Sequence, residues 1–343
     1  MRARNYDTRL SKAAFEQLIS NPAQDIISLP CNALLKAVPK GAAFPYDGLT
    51  IIGQQPFTFT SSNDHIDFYG ERGQYIHLNK TDLYINVGLD NWELISRDGF
   101  NVVIAEIFKN NEQGFAYDIS DLTSLFQDIN GTVPVTSEGQ DVRFITDKSG
   151  RGNHAKAVNP STLKYDPETG SYYIERKDSN SFFVTSNIDF TANDKFSLFA
   201  GLQKINNTTS IIAELSPNSN NVGDAFYLAS GENPNDGYSS SFCLGFLSHS
   251  ISESVDKSVI QTDCDISTGV VKMRKNGING VNGTTAQTTG SFGNYPLYIG
   301  ARSGTDFPYS GRLYSLVGIG RLTTNDEITA LESLIAQRVG VTL

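Results

Sequence analysis

The spacing of apolar residues changes character along the chain. Up to about Asp25 it is helical. Leu10, Ala14, Leu18 and Ile19 recur near 3.6 residues apart, and Asn21-Pro22 stops the run. A second apolar run, residues 29–38, is interrupted by Pro30 and closed by Pro39, and reads as one or two helical turns. Beyond Gly48 the runs shorten and fill with β-branched and aromatic residues. Residues 49–52, 57–60, 66–69, 75–78, 83–87 and 102–104 read as six short strands separated by turn residues.

Residues 110–114 are polar and make a linker. After it, strand-like runs recur at 170–175, 181–185, 196–202, 210–215, 225–229, 242–247, 269–274, 295–300 and 311–320. Nine strands so spaced predict an antiparallel sandwich or barrel. Asn276-Gly277 follows one of them, and that dipeptide favours a type I′ hairpin, which needs positive φ at both positions. One helix closes the chain. Thr324 caps it with Glu327 three residues on, Ile328, Leu331, Leu334 and Ile335 form its apolar stripe, and Gly340 ends it. The expected architecture is mainly β: a small β-rich N-terminal domain with short helices over 1–110, then a β-sandwich with a C-terminal helix over 111–343.

Composition sharpens this. Of 343 residues, 39% are hydrophobic, enough for real cores, and 19% are charged, below the roughly one quarter of an ordinary soluble domain. Gly, Asn, Ser and Thr make up the difference, which suits short strands and many turns. A formal charge of −10 repels polyanions, so nucleic acid is not an expected partner. No run approaches the roughly 18 apolar residues that cross a bilayer, so no membrane insertion is expected. The basic N-terminus lacks the apolar core of a secretory signal. Three cysteines, Cys31, Cys243 and Cys264, are too few and too odd in number for a disulfide scaffold. Without a Cys/His cluster they suggest no zinc site, and no cofactor is expected.

Several segments are similar to a known family. Residues 116–128, 131–136 and 139–142, the motif Asp147-Lys148-Ser149-Gly150-Arg151-Gly152-Asn153-His154-Ala155, and the ending 311–316 with Leu322-Thr323 and the helix resemble concanavalin A-like, laminin-G-like (jelly-roll) modules of tailed-phage virion proteins. The resemblance covers about residues 115–343 and leaves out the N-terminal third. It implies a sandwich displayed on a virion, as tail fibre, appendage or decoration.

Candidate chemistry is sparse. Asp147, Gly150, Gly152, Asn153 and His154 form a loop of small and polar groups, read as a structural turn knitted by side chains in preference to a ligand site. Tyr238, Asp306, Phe307 and Tyr309 lie in Gly-rich segments, where an exposed aromatic beside polar groups suits a sugar and a buried one suits edge packing; they are the candidate ligand-binding residues. Asp224, Asn233, Asn235, Asp236 and Asp306 offer oxygens for calcium, but without the spacing of an EF-hand they read as solvated turns, and no metal site is expected. No Glu-x-Asp-x-x-Glu strand, Gly-x-Ser-x-Gly elbow or His-Glu-x-x-His is present, and Glu214 is a lone acid on an apolar strand. The sequence therefore predicts a protein that is not an enzyme and has no catalytic residues.

The expected function is a structural protein of a tailed-phage virion, on the tail in preference to the head, made in the host cytoplasm. In this reading residues 1–110 attach to other virion proteins and the sandwich contacts a host surface polysaccharide, the chain acting as a homo-oligomer. The alternative is a head-decoration or tail-wall protein with no specific ligand; a polysaccharide depolymerase ranks third.

Overall fold

The computed structural model describes residues 99–176, 181–206, 208–217, 226–231, 237–242, 251–252, 256–280, 282–284, 288–303 and 306–343, and, before residue 97, the backbone of eight short strands. The chain divides into two compact units, Met1–Val103 and Ile104–Leu343.

The eight strands of the first unit form two antiparallel four-stranded sheets. One orders Leu10–Ser11, His65–Tyr69, Thr58–Ser62 and Leu35–Ala37; the other orders Thr50–Ile52, Tyr75–Leu78, Asp82–Gly88 and Asn91–Ser96. Two helical expectations are corrected where described residues test them. Leu10 pairs with Ile66, and Leu35 pairs with Phe59. Such two- and three-residue strands gain their ladder bonds from longer partners, which apolar spacing cannot register. The rest of both segments lies outside the described residues. Residues 102–104 are helical, not extended. They belong to α1 (Gly99–Ile107), whose buried Phe100, Ile104 and Ile107 follow i, i+4, i+7 spacing. The division between units falls inside this helix, ahead of the polar stretch at 110–114.

The second unit is mainly β, and its strands are numbered from the first. They are β1 (Gly114–Asp118), β2 (Leu125–Phe126), β3 (Asp141–Ile145), β4 (Ala155–Asp166), β5 (Ser171–Arg176), β6 (Phe183–Phe190), β7 (Lys195–Lys204), β8 (Ser210–Leu215) and β9 (Phe226–Ser230). There follow β10 (Gly237–Phe242), β11 (Ile251–Ser252), β12 (Lys257–Asp265), β13 (Val270–Lys275), β14 (Ile278–Asn279), β15 (Gly283–Thr284), β16 (Gly293–Ile299) and β17 (Gly311–Ile319).

Their antiparallel pairings resolve into two runs. The first sheet runs β13–β12–β7–β17, with β1 and β5 pairing successive parts of β17's free edge. The second runs β3–β4–β6–β16–β8–β9–β10–β11. Strand β4 joins them. Lys156 and Ala157 pair with β6, while residues 161–166 pair with β5. Between the sheets lies one apolar cluster, including Leu198 and Ala200 of β7, Leu316 of β17, Ile188 of β6, Ile212 of β8 and Leu297 of β16. Asn276 and Gly277 make the tight β13–β14 turn with φ of 50° and 76°, as their dipeptide predicts.

Strand β7 is buried at every position from Phe196 to Leu202, so its outer face needs a cover as well. Helix α2 (Asn325–Val339) supplies it. Thr324 and Glu327 form the capping box, and Gly340 takes the left-handed cap conformation. The helix comes so close to β7 that a Cβ at Gly201 would lie 2.6 Å from Ile335 Cγ2 and 2.9 Å from Val339 Cγ2. Ion pairs flank this contact. Arg274 of β13 donates through Nε and Nη2 to the buried Glu332 at 2.8 and 3.0 Å, and Arg338 reaches the buried Asp118 at 3.0 Å.

Replacing Gly201 with valine should lower unfolding free energy by about 1–3 kcal/mol, because the branched side chain must displace Ile335 or Val339. Urea unfolding measures it; an unchanged midpoint would mean that α2 does not pack as described.

Candidate functional site

The site is built on the outer face of the second sheet. In β8, Ala213 and Leu215 point into the core, so alternation turns Glu214 outward. Its neighbours across the ladder are Tyr227 on β9 and Tyr298 on β16. Glu214 is nevertheless only 2% exposed. Its Oε1 accepts from the Ser216 hydroxyl at 2.7 Å, and its Oε2 accepts from Arg302 Nε at 3.3 Å. Burial raises the Glu214 pKa above the usual carboxylate value, against the opposing pull of Ser216 and Arg302. The Tyr298 phenol is pushed up by burial and by the charge of Glu214.

Arg302 comes from the loop that follows β16. That loop doubles back on itself: Arg302 N donates to Asp306 O at 2.7 Å, and Asp306 N returns a bond at 3.1 Å. It docks on the sheet through Ile211 N, which donates to Phe307 O at 2.8 Å. The guanidinium carbon lies 5.4 Å from the Tyr227 ring centre and 5.2 Å from that of Phe307, so both aromatics flank it. Phe307 is 44% exposed and has φ of 47°, a conformation that bulky residues rarely adopt. Such strain costs about 1–3 kcal/mol and persists where surrounding contacts enforce it, often at ligand sites.

Of the four residues expected to bind a ligand, the structure brings Asp306 and Phe307 to this surface, both exposed. The other two need correction as exposed platforms. Tyr238 is 0% exposed, because Gly237-Tyr238-Ser239-Ser240 is strand β10 and not a loop, and alternation points the ring into the core. Tyr309 is 3% exposed. Its ring lines a small recess with Ile174, Arg176, Phe183, Ile299 and Leu313. Arg176 closes the back of the loop, donating to Gly300 O at 3.1 Å. Arg302, Tyr227 and Tyr298 escaped the sequence reading. The available signal was the alternation along β8, which turns Glu214 outward; that both tyrosines lie beside it follows only from the strand register.

The turn motif makes a separate knot. Asp147 Oδ1 accepts from Ala116 N and Ser149 N, each at 2.9 Å, and Oδ2 from Ser149 Oγ at 2.7 Å and Asn153 N at 2.9 Å. Asn153 Nδ2 donates to Gly114 O at 2.7 Å, and His154 Nδ1 accepts from Asp147 N at 3.0 Å. Gly150 and Gly152 hold φ of 77° and 76°. The motif thus ties its own loop to the start of β1.

Among the described residues no group of three or more His, Cys, Asp and Glu side chains is placed to hold a metal ion. Asp224, Asn233, Asn235 and Asp236 lie outside the described residues, as do Cys31 and Cys243. The buried Cys264 thiol lies 3.7 Å from the Ser240 hydroxyl.

No protein-family model and no curated protein sequence matches the chain. Solved structures do. A GH54 α-L-arabinofuranosidase soaked with a cyclic sulfate inhibitor superposes with a TM-score of 0.51 at 10% identity. An arabinofuranosidase complexed with arabinofuranosyl-α-1,2-xylobiose does so with 0.51 at 11%. Each match covers 69% of this chain and 65% of the other, so the chain spans about two thirds of the length of these enzymes. At such identity the likeness establishes the fold. It also corrects the expectation that the chain is not an enzyme: solved structures that share this fold include glycoside hydrolases, so missing sequence motifs do not set the chain apart from catalysts.

Two outcomes are expected. Asp147→Ala strands several buried backbone and hydroxyl donors and should cost about 3 kcal/mol in urea unfolding. Glu214, with a folded pKa above its unfolded one, holds its proton more tightly when folded. Its contribution to stability therefore falls as pH rises from the ordinary carboxylate range through its raised value. Unfolding free energies measured against pH should show that fall in the natural chain and lose it in Glu214→Gln; parallel curves would contradict it.

Proposed function

We propose that this chain is a structural subunit of a tailed-phage virion whose C-terminal sandwich contacts glycans at the outer face of the second sheet, through Arg302 and the exposed Phe307, which the buried Glu214 and Tyr227 hold in place. The observation that carries the glycan reading is Phe307: an aromatic ring held out to solvent in a strained conformation, beside a fixed guanidinium and carboxyl. Sugars are recognised by this pairing of an apolar ring face with anchored hydrogen-bonding groups. The sandwich shared with carbohydrate-processing enzymes is consistent with it. The virion reading rests on the resemblance of the 147–155 motif and the closing strand and helix to phage modules.

In this reading the N-terminal unit attaches the chain to other virion proteins as part of a tail fibre or appendage. Oligomeric display strengthens a weak single site by raising effective concentration. Hydrolysis is a second reading, favoured by Glu214, since burial raises its pKa in the direction a general acid requires. A glycosidase needs a second carboxylate about 5–10 Å away. Release of reducing ends from host polysaccharide, lost in Glu214→Gln, distinguishes turnover from binding.

Phe307→Ala should weaken binding of the cognate oligosaccharide about tenfold, while Tyr165→Ala, at a distant exposed aromatic of β4, should leave it unchanged. Calorimetric titration reads both. Equal affinities for all three proteins would place the glycan elsewhere, and purified particles lacking the chain would sink the virion reading.

A further inference from the structure

Arg302 is held in an unusual way. Two aromatic rings flank its planar group, at 5.4 and 5.2 Å, and Glu214 takes the Nε hydrogen at 3.3 Å. Its remaining donors, on Nη1 and Nη2, meet no hydrogen-bond acceptor among the described residues. They are not buried either, since the side chain keeps 20% of its exposure. In the same loop the Ser303 hydroxyl is buried without a partner among the described residues, at a residue whose φ is 46°.

A guanidinium presents its donors in a fixed planar fork, and the edge bearing Nη1 and Nη2 matches the two oxygens of a carboxylate. Side chains of this length usually lose their conformational freedom only on binding. Here Glu214 and the two rings have already restricted it, so the fork is pre-organised. Phe307 lies against the guanidinium, its ring centre 5.2 Å from the central carbon, and its exposed part is free to pack on a sugar ring whose carboxylate engages the fork.

We infer that the outer-face site takes a sugar acid, a hexuronic or nonulosonic acid residue of an acidic polysaccharide, with its carboxylate on Nη1 and Nη2 of Arg302 and its ring against Phe307. This rests on the glycan reading and names the ligand class for the same site. The chain's net charge of −10 opposes such a ligand at long range, but that repulsion is screened beyond about 8 Å at physiological salt. The specific contact therefore decides the outcome.

The test is a titration of the whole chain with oligosaccharides containing glucuronic acid or N-acetylneuraminic acid, each compared with its carboxyl-reduced counterpart. The acid form of one of them should bind about tenfold tighter than its reduced form, the value of one charge-assisted hydrogen-bonded pair. Arg302→Gln should abolish the preference. Arg302→Lys, which keeps the charge beside Glu214 but not the fork, should retain only part of it. Phe307→Ala should weaken acid and reduced forms equally. Equal binding of acid and reduced sugars by the natural chain, or a preference that survives Arg302→Gln, overturns this inference while leaving the glycan reading standing. Binding of neither acid nor neutral sugars overturns both.

Discussion

The constraint on which the second unit depends is burial of sheet strands on both faces. An antiparallel sheet that is wet on one side alternates apolar and polar residues. Strand β7 does not: from Phe196 to Leu202 every residue is buried. β17 is buried throughout except at Arg312. Each face therefore needs a partner. The second sheet covers the inner face. On the outer face Phe199 and Val317 pair across the ladder, and α2 lies over them. Gly201 is the concession that lets the helix come close enough. The charged groups of that layer are paired where they are buried, as Glu332 and Asp118 show, because a buried charge without its counter-ion costs several kcal/mol.

The second sheet meets the same requirement differently. Its outer face at β8, β9 and β16 carries Glu214, Tyr227 and Tyr298, too polar for an apolar helix to cover. A short loop covers it instead, and the cover is Arg302. The guanidinium supplies charge to Glu214 and a flat surface to Tyr227. Because the loop must turn back within a few residues to place Arg302 there, it leaves Phe307 outside at a positive φ. The chemistry proposed for the site is thus a consequence of how this face is closed. The same groups that satisfy the sheet hold a donor edge and an aromatic ring in fixed positions.

Much of this architecture was legible in the sequence. The capping box at Thr324 and Glu327 and the turn at Asn276-Gly277 are local signals, needing no information beyond four residues. Strands of β-branched residues, such as β8 and β17, declare themselves by composition. Other strands did not. In β10, Ser239, Ser240 and Ser241 are buried although serine runs read as turns, and β12 buries Gln261 and Thr262 and half-buries Asp263. Polar groups in such strands meet partners distant in sequence: Asp263 accepts from Ser197, 66 residues away. For the same reason Tyr238 was mistaken for a loop platform. Asp306 and Phe307 were found as a polar–aromatic pair, but Arg302 gained meaning only once the loop folded back onto Glu214.

The central claim, that glycans meet this chain at the outer face of the second sheet, is tested most directly by mapping the contact. Nuclear magnetic resonance of the chain labelled at arginine and phenylalanine, titrated with a panel of bacterial surface oligosaccharides, reads Arg302 Nε and the Phe307 ring separately. The account predicts that both move together and saturate at the same ligand concentration, while Phe199 and Phe196 in the interior stay still. Saturating shifts centred on α2 or on the Asp147 loop, with Arg302 and Phe307 unmoved, would contradict it.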